Sequence, residues 1–164
     1  MLLIRDVLRE IERLAPIALQ ESYDHTGLQV GDANQPARGA LLCVDVTEAV
    51  VDEAIAHDCN LIIAHHPLLF RPLRELTGAD YVQRCVAKAC RHDVVIYAAH
   101  TNLDNATGGV NYKLAELLGL QHTRILRPLS DGLLKLVTFV PEAHADAVRA
   151  ALADAGAGHI GAYD

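Results

Sequence analysis

Two segments of this sequence carry side chains that could do chemistry together: His65-His66-Pro67 and His100-Thr101-Asn102-Leu103-Asp104. Imidazole nitrogens with a carboxylate oxygen, and no thiolate among them, suit Zn, Mn, Fe, Co or Ni without singling one out. Consecutive side chains on a strand point to opposite faces. His65 and His66 therefore reach one metal only if the chain has left the strand; otherwise each addresses a different ion of a close pair. Pro67 fixes the backbone behind them and biases His66 toward an extended conformation. Asp104 follows His100 by four residues, which brings both to one side if that segment turns helically. Two divalent ions about 3.5–4 Å apart activate water and stabilise both oxygens of a displacement. The plainer alternative is that His65 and His66 end a strand and bond to nearby carbonyls. His25, His57, His92, His122 and His144 fall in loops or on helix faces and read as solvated, and His159 has no assigned place.

These residues need elements to hold them, and the chain alternates strand and helix signals. Residues 3–14 place Ile4, Val7, Leu8, Ile11 and Leu14 at helical spacing, closed by Pro16. Glu21 to Gly31 reads as loop, with a short strand at Leu28-Gln29-Val30. Apolar runs near 40–45, 60–65 and 94–99 have strand length. Between them, Thr47 should cap a helix running to about His57. Thr77 with Asp80 resembles a capping box for a helix reaching about His92. Gly108-Gly109 makes a turn before a further helix, Val110 to Leu118.

Wholly apolar strands separated by helices predict an α/β fold, a mainly parallel sheet with helices on both faces. Right-handed crossovers put the carboxyl ends of those strands on one edge, where ligand sites form in open sheets. Both histidine segments sit just past such ends, which favours the metal over the plainer alternative. From Leu133 the pattern restarts, with a strand to Val140, a helix from Pro141 to about Ala155 and a Gly156-Ala157-Gly158 stop. One strand and one helix cannot bury their apolar faces alone. This unit is expected to be part of a second domain, or to pack on another chain.

Bulk properties exclude several classes. The net charge is −7 with no basic run, which argues against non-specific nucleic-acid binding. No apolar stretch approaches the ~20 residues of a membrane span. The amino terminus turns charged at Arg5 and Asp6, unlike a signal peptide, so a cytoplasmic location is expected. The four cysteines form no C-x-x-C pair and read as buried or idle thiols.

Taken together, these segments resemble the Nif-three-like proteins, a dinuclear-metal family often labelled GTP cyclohydrolase I type 2 homologues. The resemblance rests on Tyr23-Asp24-His25-Thr26-Gly27-Leu28-Gln29-Val30-Gly31, Asp45-Val46-Thr47, Leu61 to Leu68 around His65-His66-Pro67, Ala99 to Asp104, and Gly108-Gly109-Val110-Asn111. Tyr23 and His25 stand where the family usually has Trp and Asn. The resemblance implies two divalent metal ions held by His65, His66 and Asp104, with His100 lining the site, and His66 and Asp104 sharing one ion. It implies a further His and Glu from a late segment that nothing here matches. It also implies a homo-oligomer, a hexamer. Residues 1–129 are then the first half of the metal-binding core, and 130–164 the start of an inserted ferredoxin-like α+β domain. The function implied is a metal-dependent hydrolase of a nucleotide-like or small heterocyclic substrate. The alternative is a non-catalytic metal-binding regulatory or interaction protein.

Overall fold

Four short strands make one sheet: β1 (Gly27–Val30), β2 (Ala40–Cys43), β3 (Leu61–Ala64) and β4 (Val95–Ala98), in the order β1-β4-β3-β2. The computed structural model describes residues 1–126 and 135–158. The chain divides into two compact units, Met1–Thr123 and Arg124–Asp164. In the first unit β2, β3 and β4 run parallel, with Ala40 opposite Leu61 and Leu61 opposite Val95. The fourth strand, β1, runs antiparallel to β4, Gly27 facing Ala98, with a register shift between Leu28 and Val30. The sheet is therefore mixed. No helix separates β1 from β2, which lies at the opposite edge of the sheet, and β1 closes the edge beyond β4, the third apolar run.

Helices cover both faces, and the strand pleat decides which residues they meet. Ile62, Ala64 and Ile96 point to one face and pack with Val51 and Ala54 of α2 (Glu48–Ala56) and with Cys85, Val86 and Ala89 of α3 (Tyr81–Arg91). Leu61, Val95 and Tyr97 point to the other face and meet Ile4 and Leu8 of α1 (Ile4–Leu14). Every residue of β4 is buried, as a central strand with covered faces requires. The phenol of Tyr97 donates to Glu12 Oε1 at 3.4 Å. Burial, with the Glu12 charge adding to it, pushes that phenol well above its ordinary pKa.

The ends of the helices follow the sequence signals, with one correction. Asp6 accepts from the Leu3 amide at 3.1 Å and fastens the start of α1. Thr47 caps α2, its hydroxyl accepting from the Val50 amide at 3.3 Å. Replacing it with Ala should lower unfolding free energy by about 1 kcal/mol, measured by urea denaturation; an unchanged midpoint would show the cap to be idle. The expected Thr77 cap of α3 gives way to Asp80, whose carboxylate accepts from the Gln83 amide at 2.8 Å. Thr77 instead gives its amide and hydroxyl to the Gln83 side-chain oxygen. The cap must stand directly before the first helical residue, and Thr77 lies one turn too early. All four cysteines are free. Burial raises the thiol pKa of both Cys43 and Cys85, as expected of idle groups.

After β4 the chain makes a short helix, α4 (Thr101–Asn105), and then α5 (Val110–Leu117). Gly109 joins them where a Cβ would lie 1.9 Å from the Leu103 carbonyl oxygen, so no side chain fits. In the second unit a 3-10 turn at Glu142–His144 leads into α6 (Ala145–Asp154). The strand expected over Leu133 to Val140 is not formed in its described part, 135–140. A strand exists by pairing, and those residues have no ladder partner among the described residues. Leu133, Leu134 and His159 lie outside the described residues. Among the described residues no helix is long and apolar enough to cross a membrane.

Candidate metal centre

Strand direction gathers the site. Because β2, β3 and β4 are parallel, the residues just past each of them meet at one edge of the sheet. Asp45 follows β2, His65 and His66 follow β3, and His100 follows β4. Because β1 is antiparallel, its beginning lies at that same edge, so Asp24 arrives there from the opposite direction. His65 and His66 lie past the end of β3, although their amides still donate to the Cys43 and Val44 carbonyls at 3.1 and 2.9 Å. Their rings are 5.1 Å apart and tilted by 44°, rather than on opposite faces.

One ring nitrogen from each of His65, His66 and His100 lies within 4.8 Å of the others. The second nitrogen of every ring is fastened. His65 Nδ1 sits 2.9 Å from the Ala99 carbonyl oxygen. His66 Nδ1 sits 2.8 Å from Asp45 Oδ1, and His100 Nδ1 2.9 Å from Asp24 Oδ1. A carbonyl or carboxylate oxygen can only accept, so each Nδ1 carries the hydrogen. Each Nε2 is left with its lone pair free in the neutral ring. Oriented imidazoles with an anchored far nitrogen are the usual arrangement of metal-ligating histidines. Tetrahedral ligands at about 2.0–2.1 Å from a zinc ion stand about 3.4 Å from one another. The three rings thus need only a small inward rotation to take an ion, and the donor set fits one.

Asp104 stands beside this group. Its Oδ1 is 3.8 Å from His65 Nε2, on the first turns of α4, where its amide bonds to the His100 carbonyl at 3.1 Å. The helical turn anticipated between His100 and Asp104 is present. The three mutually close residues are His65, His66 and His100, whereas His66 pairs with Asp45 rather than with Asp104.

Two residues of the site carry no metal-ligand pattern in the sequence. Asp45 and Asp24 both lie in loops, and an isolated loop Asp usually reads as a turn residue. Asp45 remains open to solvent, its side chain 67% exposed. The Asp24 side chain is 0% exposed. Burial alone would raise its pKa, but hydrogen bonds from His100, Thr101 and His25 outweigh that and hold the carboxyl below the usual range. Asn102, wholly buried, steadies the turn by accepting from the His100 amide at 2.9 Å and donating to the Ala15 carbonyl at 2.7 Å. His25 does not join the cluster; its Nδ1 meets the Leu69 carbonyl at 2.9 Å and ties the loop after Pro67 to the segment before β1.

Fold and site together define a mixed α/β protein with three oriented histidines at the carboxyl ends of its parallel strands. The chain belongs to the DUF34/NIF3 (NGG1p interacting factor 3) family, whose model matches residues 2–162. It is 48% identical over 158 residues to the GTP cyclohydrolase 1 type 2 homolog of Halalkalibacterium halodurans, covering 96% of this chain and 42% of that protein. It is 45% identical over 160 residues to the Bacillus subtilis protein of the same name, covering 97% of this chain and 43% of the relative. The chain thus spans less than half the length of these relatives. Among solved structures, it is similar to a Bacillus cereus protein related to NIF3, with a TM-score of 0.75 and 44% identity over 99% of this chain and 45% of that one. Reduced HcgD from Methanocaldococcus jannaschii matches with a TM-score of 0.71 and 31% identity, covering 77% and 50%.

Proposed function

We propose that this chain supplies one half of a divalent-metal centre of a hydrolase acting on a nucleotide-like or small heterocyclic substrate. The observation that carries the reading is the common orientation of His65, His66 and His100, each Nδ1 fastened and each Nε2 free. A divalent ion held there supplies Lewis acidity, polarising a substrate and activating water. The chain's own residues do the positioning. Ala99, Asp45 and Asp24 fix the three rings, and Asp104 offers a carboxylate as a further ligand or as a proton acceptor at Oδ1. The relatives' name, GTP cyclohydrolase 1 type 2 homolog, directs the substrate class toward purine nucleotides.

Three imidazoles and one carboxylate suffice for one four-coordinate ion, not two, and with Asp104 as proton acceptor rather than ligand the fourth position would stay open to water. The second ion of a dinuclear centre then draws on donors beyond these four, and the assembly is a homo-oligomer, a hexamer by family resemblance. The test is to load the chain with Zn or Mn and follow GTP and related nucleotides by chromatography. Turnover that a chelator and His66→Ala both remove supports the hydrolase. Stable metal binding with no turnover of any nucleotide would replace it with the non-catalytic reading, which the family's description as an interacting factor favours.

A further inference from the structure

Asp24 is the best-connected side chain at the sheet edge, and every bond it makes is one it accepts. Oδ1 takes the His25 amide at 2.7 Å and His100 Nδ1 at 2.9 Å. Oδ2 takes the Thr101 amide at 3.1 Å and the Thr101 hydroxyl. The direction of that hydroxyl is itself fixed, because the Glu21 amide donates to Thr101 Oγ1 at 3.0 Å and its hydrogen must turn toward Asp24. Two backbone amides, one hydroxyl and one imidazole therefore converge on a carboxylate with 0% side-chain exposure. Such a site is satisfied by a group with acceptors on both branches and no hydrogens of its own.

We propose that Asp24 is the positioning residue that sets His100 in its Nδ1–H tautomer and so makes His100 Nε2 a metal donor. The inference rests on the metal reading of the cluster and deepens it. Asp45 makes the comparison sharp. It also accepts from a histidine Nδ1, at 2.8 Å, but it is 67% exposed, and that bond to His66 is the one its side chain makes among the described residues. Asn at position 45 can turn its carbonyl oxygen to His66 and leave its amide in water. Asn at position 24 has no such choice, because each oxygen of Asp24 faces a backbone N–H. Whichever branch becomes NH2 opposes a donor, and if it is the branch facing His100 the imidazole must accept at Nδ1 and move its hydrogen to Nε2. An Nε2 carrying a hydrogen cannot bind a metal.

The experiment compares Asp24→Asn with Asp45→Asn in the full chain, since both remove one negative charge near the same histidines. Zinc titration should show a ten- to hundredfold loss of affinity for Asp24→Asn, the range for removing a partner of a ligating histidine, and about threefold or less for Asp45→Asn, whose exposed bond an amide can replace. Imidazole 15N spectra near pH 8.5, where the free ring is neutral, should show Nδ1–H at His100 in the wild-type chain and a population of Nε2–H in Asp24→Asn. Equal losses in the two variants would overturn the proposal, as would a wild-type His100 protonated at Nε2. If Asp24→Asn does not fold, the wild-type spectrum still decides. If the wild-type chain binds no zinc, the metal reading fails, while the spectra continue to test the hold of Asp24 on His100.

Discussion

Alanine at His65, His66 or His100 should each reduce zinc and manganese affinity by on the order of a hundredfold or more, since even the loss of a supporting partner costs ten- to hundredfold. The three nitrogens lie within 4.8 Å of one another, so no ring is peripheral to the group. Each ring is anchored through Nδ1, and no other histidine stands ready to replace one among the described residues. Asp104→Ala should also weaken binding, because its carboxylate is the acidic group beside His65. Titration calorimetry should find one ion per wild-type chain and none at comparable concentration in His66→Ala. His66 is exposed and Asp104 partly so, so thermal unfolding of His66→Ala and Asp104→Ala should hardly change, whereas His100 is 19% exposed and its removal unpairs the buried Asp24. Lost binding can then be separated from lost fold. Unchanged affinity in both His66→Ala and Asp104→Ala would remove the site, and tight binding of two ions per chain would remove the one-ion count.

Ile62→Ala should cost roughly 2–5 kcal/mol of unfolding free energy, the range for deleting a fully buried branched side chain and leaving a cavity. Ile62 is 0% exposed, lies in β3 between two parallel neighbours, and packs with α2 and α3. A loss of that size is a large part of the ~5–15 kcal/mol that holds a typical domain. β3 also delivers His65 and His66, so metal affinity should fall only once the loss leaves a substantial unfolded population. Leu42→Ala is the control, since Leu42 is 74% exposed on edge strand β2 and should change stability by no more than about 0.5 kcal/mol. Urea denaturation of the two variants measures the contrast. Equal midpoints would mean that the apolar layer around β3 is not the core.

Much of this architecture was legible in local signals. The periodic apolar residues of α1, the Thr47 cap and the apolar runs at β2, β3 and β4 each report a short-range preference of the backbone. Predicted boundaries therefore fell within a residue or two of the observed ones, as for Ile4–Leu14 and Leu61–Ala64. His65, His66, His100 and Asp104 were legible as candidate ligands because two segments with metal-type donors both fell just past the carboxyl ends of strands on one sheet edge. The misjudged points were of another kind. Thr77 and Asp80 both have capping chemistry, and only the register of the helix start chose between them. The described part, 135–140, of the strand expected at Leu133–Val140 has the right residues, but a ladder needs a partner, and none stands among the described residues.

What the sequence by itself determined is the set of elements and the presence of metal-type donors past two strand ends. Those follow from side-chain volume, periodicity and capping, which act over a few residues. The tertiary structure alone decided that β1 runs antiparallel, and with it that Asp24 reaches the sheet edge from 76 residues away to hold His100. It also decided that Asp45 stands behind His66 and that all three imidazoles turn their Nδ1 atoms outward. Strand direction and ring orientation depend on pairing between distant segments, and hydrogen bonds of that range leave no periodic mark along the chain.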